Sequence, residues 1–164
     1  MGKQAKAIIS LDVKTVINDL NKALADEFLA AHQYWIGSKL VKGYFRKTVQ
    51  EELQEHSKEE QKHAEMIIDR ILQLDGTPVI DPKDWYKLSN CGYLPPKDPN
   101  SIALLKQNLQ GERCAIQVYS KMLKKLQNKD EITFFMIHDI LQEEEDHEFD
   151  LETILEDIEL SQKD

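Results

Sequence analysis

Four long stretches of the chain place apolar residues three and four positions apart, the spacing that lines one side of an α-helix. This pattern predicts helices over residues 13–42, 44–74, 101–126 and 131–160. Asp12 and Asp130 are placed to cap the first and fourth of these helices, and Gly43 is placed to end the first. Residues 1–11 carry few structural signals and are expected to form a short leader.

The connections between these helices predict how they are arranged. The first two helices follow one another almost directly, and residues 128–130 form a tight turn between the last two, so both pairs should be antiparallel. Residues 75–100 hold all five prolines, and Asp81-Pro82 predicts a short helix over 82–88. Such a long link can run the length of a bundle. We therefore predict an all-α four-helix bundle over about residues 13–160, with one long crossover and a short helix in the second connection, in a single domain of residues 1–164.

Each predicted long helix carries a glutamate on its apolar stripe, and two of the helices add a histidine three residues later. Burying an unpaired charge is costly, so acids on four apolar stripes need a common explanation. A single Glu-x-x-His in a glutamate-rich helix is weak evidence, because charged helix faces are common. Six residues in register on four helices instead favour a shared metal site, formed by Glu27, Glu60, His63, Glu112, Glu144 and His147.

The residue types at this predicted site suit a pair of divalent metal ions. Carboxylate oxygens and imidazole nitrogens suit iron or manganese, and two divalent cations neutralise four carboxylates. We expect Glu60 and Glu144 to bridge the two ions. Glu27 with His63, and Glu112 with His147, would then be the terminal ligands. His56, Tyr34 and Tyr119 share the stripes and are expected in the core or behind the site.

Charge and cysteine content narrow the possible functions. The 164 residues carry a net charge of −9, which disfavours binding to phosphate backbones and suits the attraction of cations. No apolar run approaches the roughly 20 residues of a membrane span, and the first ten residues lack a signal peptide's apolar core, so the expected location is the cytoplasm. Cys91 and Cys114 are too few for a tetrahedral zinc site. In a reducing compartment a pair is more often redox-active than a permanent crosslink.

With these residues in place, the chain over 13–160 resembles the ferritin superfamily, and the six candidate ligands resemble the intrasubunit centre of bacterioferritins. Gln61 stands where bacterioferritins carry the methionine that holds haem, so haem is not expected. Because few residues follow Leu160, the fifth helix of the large ferritins is not expected. No Cys-x-x-Cys pairs follow, so a rubrerythrin is not expected either. Residues 85–95, together with Cys114 two positions after Glu112, resemble the Dps-like thioferritins.

This resemblance implies a ferroxidase with a di-iron centre, in which Mn or Zn could replace Fe. It implies that Fe(II) is oxidised by hydrogen peroxide or O2, that the mineral is stored in a homododecameric cage, and that the cell is thereby protected from oxidative stress. Neither a membrane nor a nucleic acid is expected as a partner. The resemblance also implies a cysteine pair beside the metals. Cys114 lies about 200° around the helix from Glu112 and should face the connection that carries Cys91. Two interpretations of the cysteines remain open: a reversible disulfide between them, or two small buried apolar side chains.

Three other functions remain compatible with the pattern. A di-manganese catalase-like enzyme or an oxygenase would use the same ligands without storing mineral. A DNA-coating Dps-type protein would need more basic surface than this chain has. A plain helical bundle that uses its acids for solubility would gain no thermal stability from metals.

Overall fold

The computed structural model describes residues 2–43 and 45–161, and within those ranges the protein is built from helices with no strand. The six helices are α1 (Lys3–Ala7), α2 (Val13–Leu40), α3 (Arg46–Gln73), α4 (Pro82–Leu88), α5 (Ser101–Leu126) and α6 (Glu131–Ser161). The four long helices and the short α4 confirm the predicted all-α bundle. No helix in the described ranges is long and apolar enough to cross a membrane.

The helix ends follow the predicted capping residues in part. The Asp12 carboxylate accepts hydrogen bonds from the backbone N–H groups of Lys14 and Thr15, and Asp130 accepts one from Thr133. Gly43 was expected to end the first long helix, and that prediction is wrong. The helix ends at Leu40 because the chain becomes extended at residue 41. Gly43, with φ of +115°, lies in the link that follows.

Two further differences concern an additional short helix and the residue at which the second long helix begins. Residues 3–7 form the short helix α1, which the low structural signal of the leader did not predict. The second long helix was expected to begin at Tyr44. That residue lies outside the described ranges, and the helix begins at Arg46.

The long connection returns the chain to the end of the bundle where α2 stops. The Lys42 N–H donates to the carbonyl oxygen of Pro99 at 2.7 Å, and the Ser101 N–H donates to that of Lys42 at 3.1 Å. Because α2 and α3 are antiparallel, α3 ends at the opposite end of the bundle. The third long helix therefore starts far from where the second stops, as the length of the link predicted.

Two apolar clusters fill the bundle and leave its middle for polar residues. One cluster includes Leu24, Ala64, Tyr119 and Ile140, and the other includes Tyr34, Leu53, Leu109 and Leu151. On every long helix the candidate ligands fall between a residue of one cluster and a residue of the other. Their side chains therefore lie in the middle of the bundle, with apolar packing above and below.

Candidate metal centre

The six residues predicted to hold metal come together in the middle of the bundle. None is more than 3% exposed. They are supplied by all four long helices: Glu27 by α2, Glu60 and His63 by α3, Glu112 by α5, and Glu144 and His147 by α6. The three-residue spacing on α3 and on α6 places each glutamate and its histidine on the same side of the helix.

The six side chains form two clusters that share two glutamates. One cluster is Glu27, Glu60, His63 and Glu144, and the other is Glu60, Glu112, Glu144 and His147. Nδ1 of His63 lies 3.1 Å from Glu144 and 3.4 Å from both Glu27 and Glu60. Nδ1 of His147 lies 3.5 Å from Glu60, 3.7 Å from Glu112 and 3.9 Å from Glu144. The shared residues are Glu60 and Glu144, the pair expected to bridge.

Several polar atoms at this centre are buried and have no hydrogen-bond partner in the described part of the chain. They are Glu27 Oε2, His63 Nδ1, Glu112 Oε2, Glu144 Oε1 and His147 Nδ1. A buried polar atom without a partner costs about 1–3 kcal/mol, so five in one place call for a ligand. Carboxylate oxygens and imidazole nitrogens match Fe, Mn or Zn. The donor set fits two divalent cations.

Burial and mutual repulsion change the pKa values of the acids at the centre. Burial raises the pKa of Glu27 and of Glu144 well above its usual range, and the neighbouring Glu60 raises both further. Burial also raises the pKa of Glu60, but close contacts with His147 and His63 outweigh it and leave that pKa below its usual range. Without metal, these close carboxyl groups therefore disfavour being ionised all at once.

The histidines respond to the same acids in the opposite sense. Burial lowers the pKa of His147, but contacts with Glu112 and Glu60 outweigh this effect and raise the pKa to about 12. The pKa of His63 is likewise raised by its contacts with Glu144 and Glu27 in spite of burial. The positive charge that the glutamates favour on these rings is the charge that metal ions can supply instead.

Two buried tyrosines hold the outer glutamates from the opposite helices. The hydroxyl of Tyr34 on α2 donates to Glu112 on α5, and that of Tyr119 on α5 donates to Glu27 on α2. Burial and the adjacent carboxylates raise the pKa of both phenols well above the usual range, so both hydroxyls keep their protons. These crossed bonds fix one oxygen of Glu27 and one of Glu112, and the other oxygen of each lies near a histidine of the centre.

Sequence reasoning did not identify the side chains that contact Nε2, the nitrogen of each histidine ring that faces away from the centre. Nε2 of His63 lies 2.9 Å from Glu143 Oε2, and Nε2 of His147 lies 3.0 Å from Glu59 Oε2. Metal-bound histidines commonly bond a carboxylate through the other ring nitrogen, which fixes the tautomer. The signal that could have revealed this is the repeated Glu-Glu-x-x-His at 59–63 and 143–147.

His56 lies behind one of these histidines. It is buried, its ring stacks on that of His147 with centroids 4.1 Å apart, and its Nε2 lies 3.1 Å from Glu52. The position three residues before it is Leu53, which explains why it does not repeat the Glu-x-x-His geometry.

Two cavities adjoin the centre on different sides of the bundle. One, of about 230 Å³, is bounded by α2, α5 and the crossover, and it reaches Glu27, Glu60, Glu112 and Glu144. The other, of about 260 Å³, lies between α3 and α6 and reaches His147. Among the described residues, its lining besides His56 and His147 consists of acids: Glu52, Glu55, Glu59, Glu143, Asp146 and Asp150. The two sides of the centre therefore differ sharply in charge.

The two cysteines are joined in the structure by a disulfide, with Cα atoms 5.8 Å apart. Cys91 lies in the crossover and also lines the cavity of about 230 Å³. Its segment is held against α2 by Asp26, whose carboxylate accepts hydrogen bonds from Ser89 Oγ at 2.6 Å, Asn90 Nδ2 at 2.6 Å and the Cys91 N–H at 2.9 Å. Sequence reasoning missed Asp26 because this helix residue accepts its hydrogen bonds from a distant, irregular segment.

Comparison with known proteins shows the family of the chain. The family model of the ferritin-like domain matches residues 17–161. The chain is 31% identical over 147 residues to a DNA protection during starvation protein of Pyrococcus furiosus, an alignment that covers 88% of this chain and 79% of that protein.

Solved structures give the same fold. A dodecameric thioferritin, the bacterioferritin-related protein from Bacteroides fragilis, superposes with a TM-score of 0.96 at 44% identity, covering 99% of this chain and 98% of that one. Dps from Thermosynechococcus elongatus superposes with a TM-score of 0.81 at 18% identity, covering 87% and 90%, and shows the same fold.

Proposed function

Because this chain belongs to the ferritin-like domain family, we propose that it oxidises Fe(II) at a two-metal centre and stores the product as a mineral, which would protect against oxidative stress. The observation that carries the proposal is the pair of buried clusters that share Glu60 and Glu144. The proposed ligands are those two bridging residues, with Glu27 and His63 on one ion and Glu112 and His147 on the other. No haem is proposed, because Gln61 stands where bacterioferritins carry the methionine that holds haem.

Fe(II) is both the occupant of the site and the substrate, and hydrogen peroxide is the proposed oxidant. Two Fe(II) ions each give up one electron, the O–O bond of the peroxide breaks, and two protons complete two water molecules. O2 is the alternative acceptor. The role of the chain is to hold the two ions together with open coordination positions.

The surrounding residues keep the ligands in place for this chemistry. The Tyr34 and Tyr119 hydroxyls hold Glu112 and Glu27, so the terminal carboxylates are already oriented before metal arrives. Glu59 holds the ring of His147 through Nε2, which leaves Nδ1 facing the centre. The apolar clusters above and below the centre keep water away from those two sides, which strengthens the charge interactions there.

Anaerobic titration with Fe(II), followed by peroxide, tests this proposal. We expect two Fe(II) bound tightly per chain, and one peroxide consumed for every two Fe(II) oxidised. Electron microscopy of iron-loaded protein should then show a cage with a dense core, as a dodecamer like the relative from Bacteroides fragilis would give. A small oligomer that turns over peroxide with manganese and forms no core would support the di-manganese enzyme instead.

Protection of DNA does not require that this chain bind DNA. The relative from Pyrococcus furiosus is named for DNA protection, but the net charge of −9 disfavours contact with a phosphate backbone. Removal of Fe(II) and peroxide would protect nucleic acid without contact. A gel shift at low and moderate salt separates the two possibilities, since a coating protein would retard DNA at low salt.

The disulfide is proposed to be a reversible redox pair. We expect a dithiol reductant to open the Cys91–Cys114 bond, and peroxide to reform it in metal-loaded protein. The two thiols would lose two electrons and two protons as the peroxide becomes two water molecules. Intact mass and alkylation before and after peroxide measure this, with Cys114→Ser as the control that cannot close the bond. Two thiols that still alkylate fully after peroxide would contradict the proposal.

A further inference from the structure

We infer that the cavity bounded by α2, α5 and segment 89–94 is the passage through which a small uncharged oxidant reaches the metal pair, and that Gly111 sets its width. The inference rests on the proposed Fe(II) oxidation and names the route of its second substrate.

The cavity leads from the protein surface to the centre. Its buried end is formed by the four glutamates of the metal clusters and by Tyr34. Its outer end is formed by Gly92, Leu94, Gln107, Gln110 and Gly111, which are exposed or half-buried. A volume of about 230 Å³ accommodates several water-sized molecules but no large substrate.

The outer part of this cavity suits an uncharged solute. No lysine, arginine or histidine lines it, and apart from the four glutamates at the buried end its one acid among the described residues is Asp26. The Asp26 carboxylate already accepts three hydrogen bonds from residues 89–91. The amides of Gln107 and Gln110 can exchange hydrogen bonds with a peroxide.

The opposite cavity has the contrary character. Six carboxylates line it, and a concave surface of one charge concentrates ions of the other charge. A divalent cation is therefore attracted to the α3–α6 side of the centre, whereas an uncharged oxidant gains nothing there. The two substrates are sorted by the charges at the two mouths.

The wall of the proposed passage is held firmly. Besides the bonds to Asp26, the Leu94 N–H donates to Gln33 at 3.1 Å, and Gln107 donates to the Leu94 carbonyl at 2.6 Å. The disulfide ties the same segment to α5. The width of the passage is therefore set by side chains on its lining rather than by movement of segment 89–94.

Gly111 has no evident structural reason to be glycine. It lies inside α5, where glycine costs about 0.8–1.0 kcal/mol relative to alanine. Its φ is not positive, and a Cβ added to it would meet nothing within 4 Å. Neither backbone conformation nor close packing requires glycine here. Because Gly111 lines the cavity directly before Glu112, a side chain at this position would project into the passage.

The test is a series of increasing side chains at this position: Gly111→Ala, Gly111→Leu and Gly111→Phe in the full chain. The matched control is Gln117→Leu, which adds an apolar side chain at an exposed position of the same helix. The readouts are the second-order rate constant for hydrogen peroxide with Fe(II)-loaded protein, and the Fe(II) stoichiometry from anaerobic titration. Alanine and leucine favour helix more than glycine does, so the variants should fold.

We expect the rate constant to fall progressively with side-chain size, by roughly tenfold for leucine, equivalent to about 1.4 kcal/mol of added barrier. Bound Fe(II) should stay at two per chain, and Gln117→Leu should react like the unchanged protein. Leucine and phenylalanine variants that react with peroxide at the unchanged rate would overturn the inference. So would variants that lose Fe(II) binding, since Gly111 would then support the metal site. If the unchanged protein itself oxidises no Fe(II), the proposed function fails, whatever the variants do.

Discussion

Replacement of Glu60 by alanine is expected to lower the initial rate of Fe(II) oxidation at least about 100-fold. Loss of a residue that only supports a metal ligand already costs up to about 100-fold, and Glu60 is itself a proposed ligand. Glu60 belongs to both clusters and lies within 3.5 Å of both His63 and His147. Its removal therefore takes a ligand from both ions at once and removes the link that keeps them adjacent. Stopped-flow absorbance after peroxide is mixed with Fe(II)-loaded protein measures the rate.

The matched control is Glu65→Ala, which removes an exposed glutamate from the same helix. It should oxidise Fe(II) like the unchanged protein, because α3 keeps its length and its buried face. A Glu60→Ala protein that is folded and oxidises Fe(II) at the unchanged initial rate would show that the bridging assignment is wrong.

Metal binding is expected to raise the melting temperature by roughly 10–20 °C. An ion at 100 times its Kd stabilises by about 2.7 kcal/mol, so two sites contribute about 5 kcal/mol. For a chain of this length, 1 kcal/mol corresponds to about 2–4 °C. The physical source is the relief of repulsion among four buried glutamates, because burial and the neighbouring Glu60 already disfavour Glu27 and Glu144 as anions.

Thermal melts with chelator, with Mn(II) and with Zn(II) measure this shift in the whole chain. Glu60→Ala is again the informative variant. Without metal it should melt near the temperature of the metal-free unchanged protein, and with metal it should lose most of the gain. Identical melting temperatures with and without metal would favour a plain helical bundle whose acids serve solubility.

The fold was predictable because helical periodicity survives in all four long helices. On α3, for example, the apolar residues at helical spacing from Leu53 to Ile71 are buried. The polar interruptions of these stripes also led to the six candidate ligands, since an acid in an apolar stripe signals a cost that something must offset. The long crossover was predictable because prolines and glycines break helices locally.

What the sequence did not reveal depends on long side chains or on irregular backbone. Glu59 and Glu143 lie at the edge of the buried faces, so a helical projection places them in water. Their side chains nevertheless reach across to histidines on another helix. Asp26 bonds a segment without periodicity, whose path no local pattern specifies. The end of α2 before Gly43 depends on backbone pairing of Lys42 with Pro99, a contact remote in sequence.

Side chains from four helices are proposed to hold two metal ions within one chain. Anomalous diffraction at the iron edge, from crystals grown and loaded with Fe(II) without oxygen, tests it most directly. We expect two iron peaks per chain, one contacted by Glu27 and His63, the other by Glu112 and His147, with Glu60 and Glu144 between them. Iron peaks elsewhere only, or a single peak that leaves Glu27 or Glu112 out of bonding distance, would contradict it.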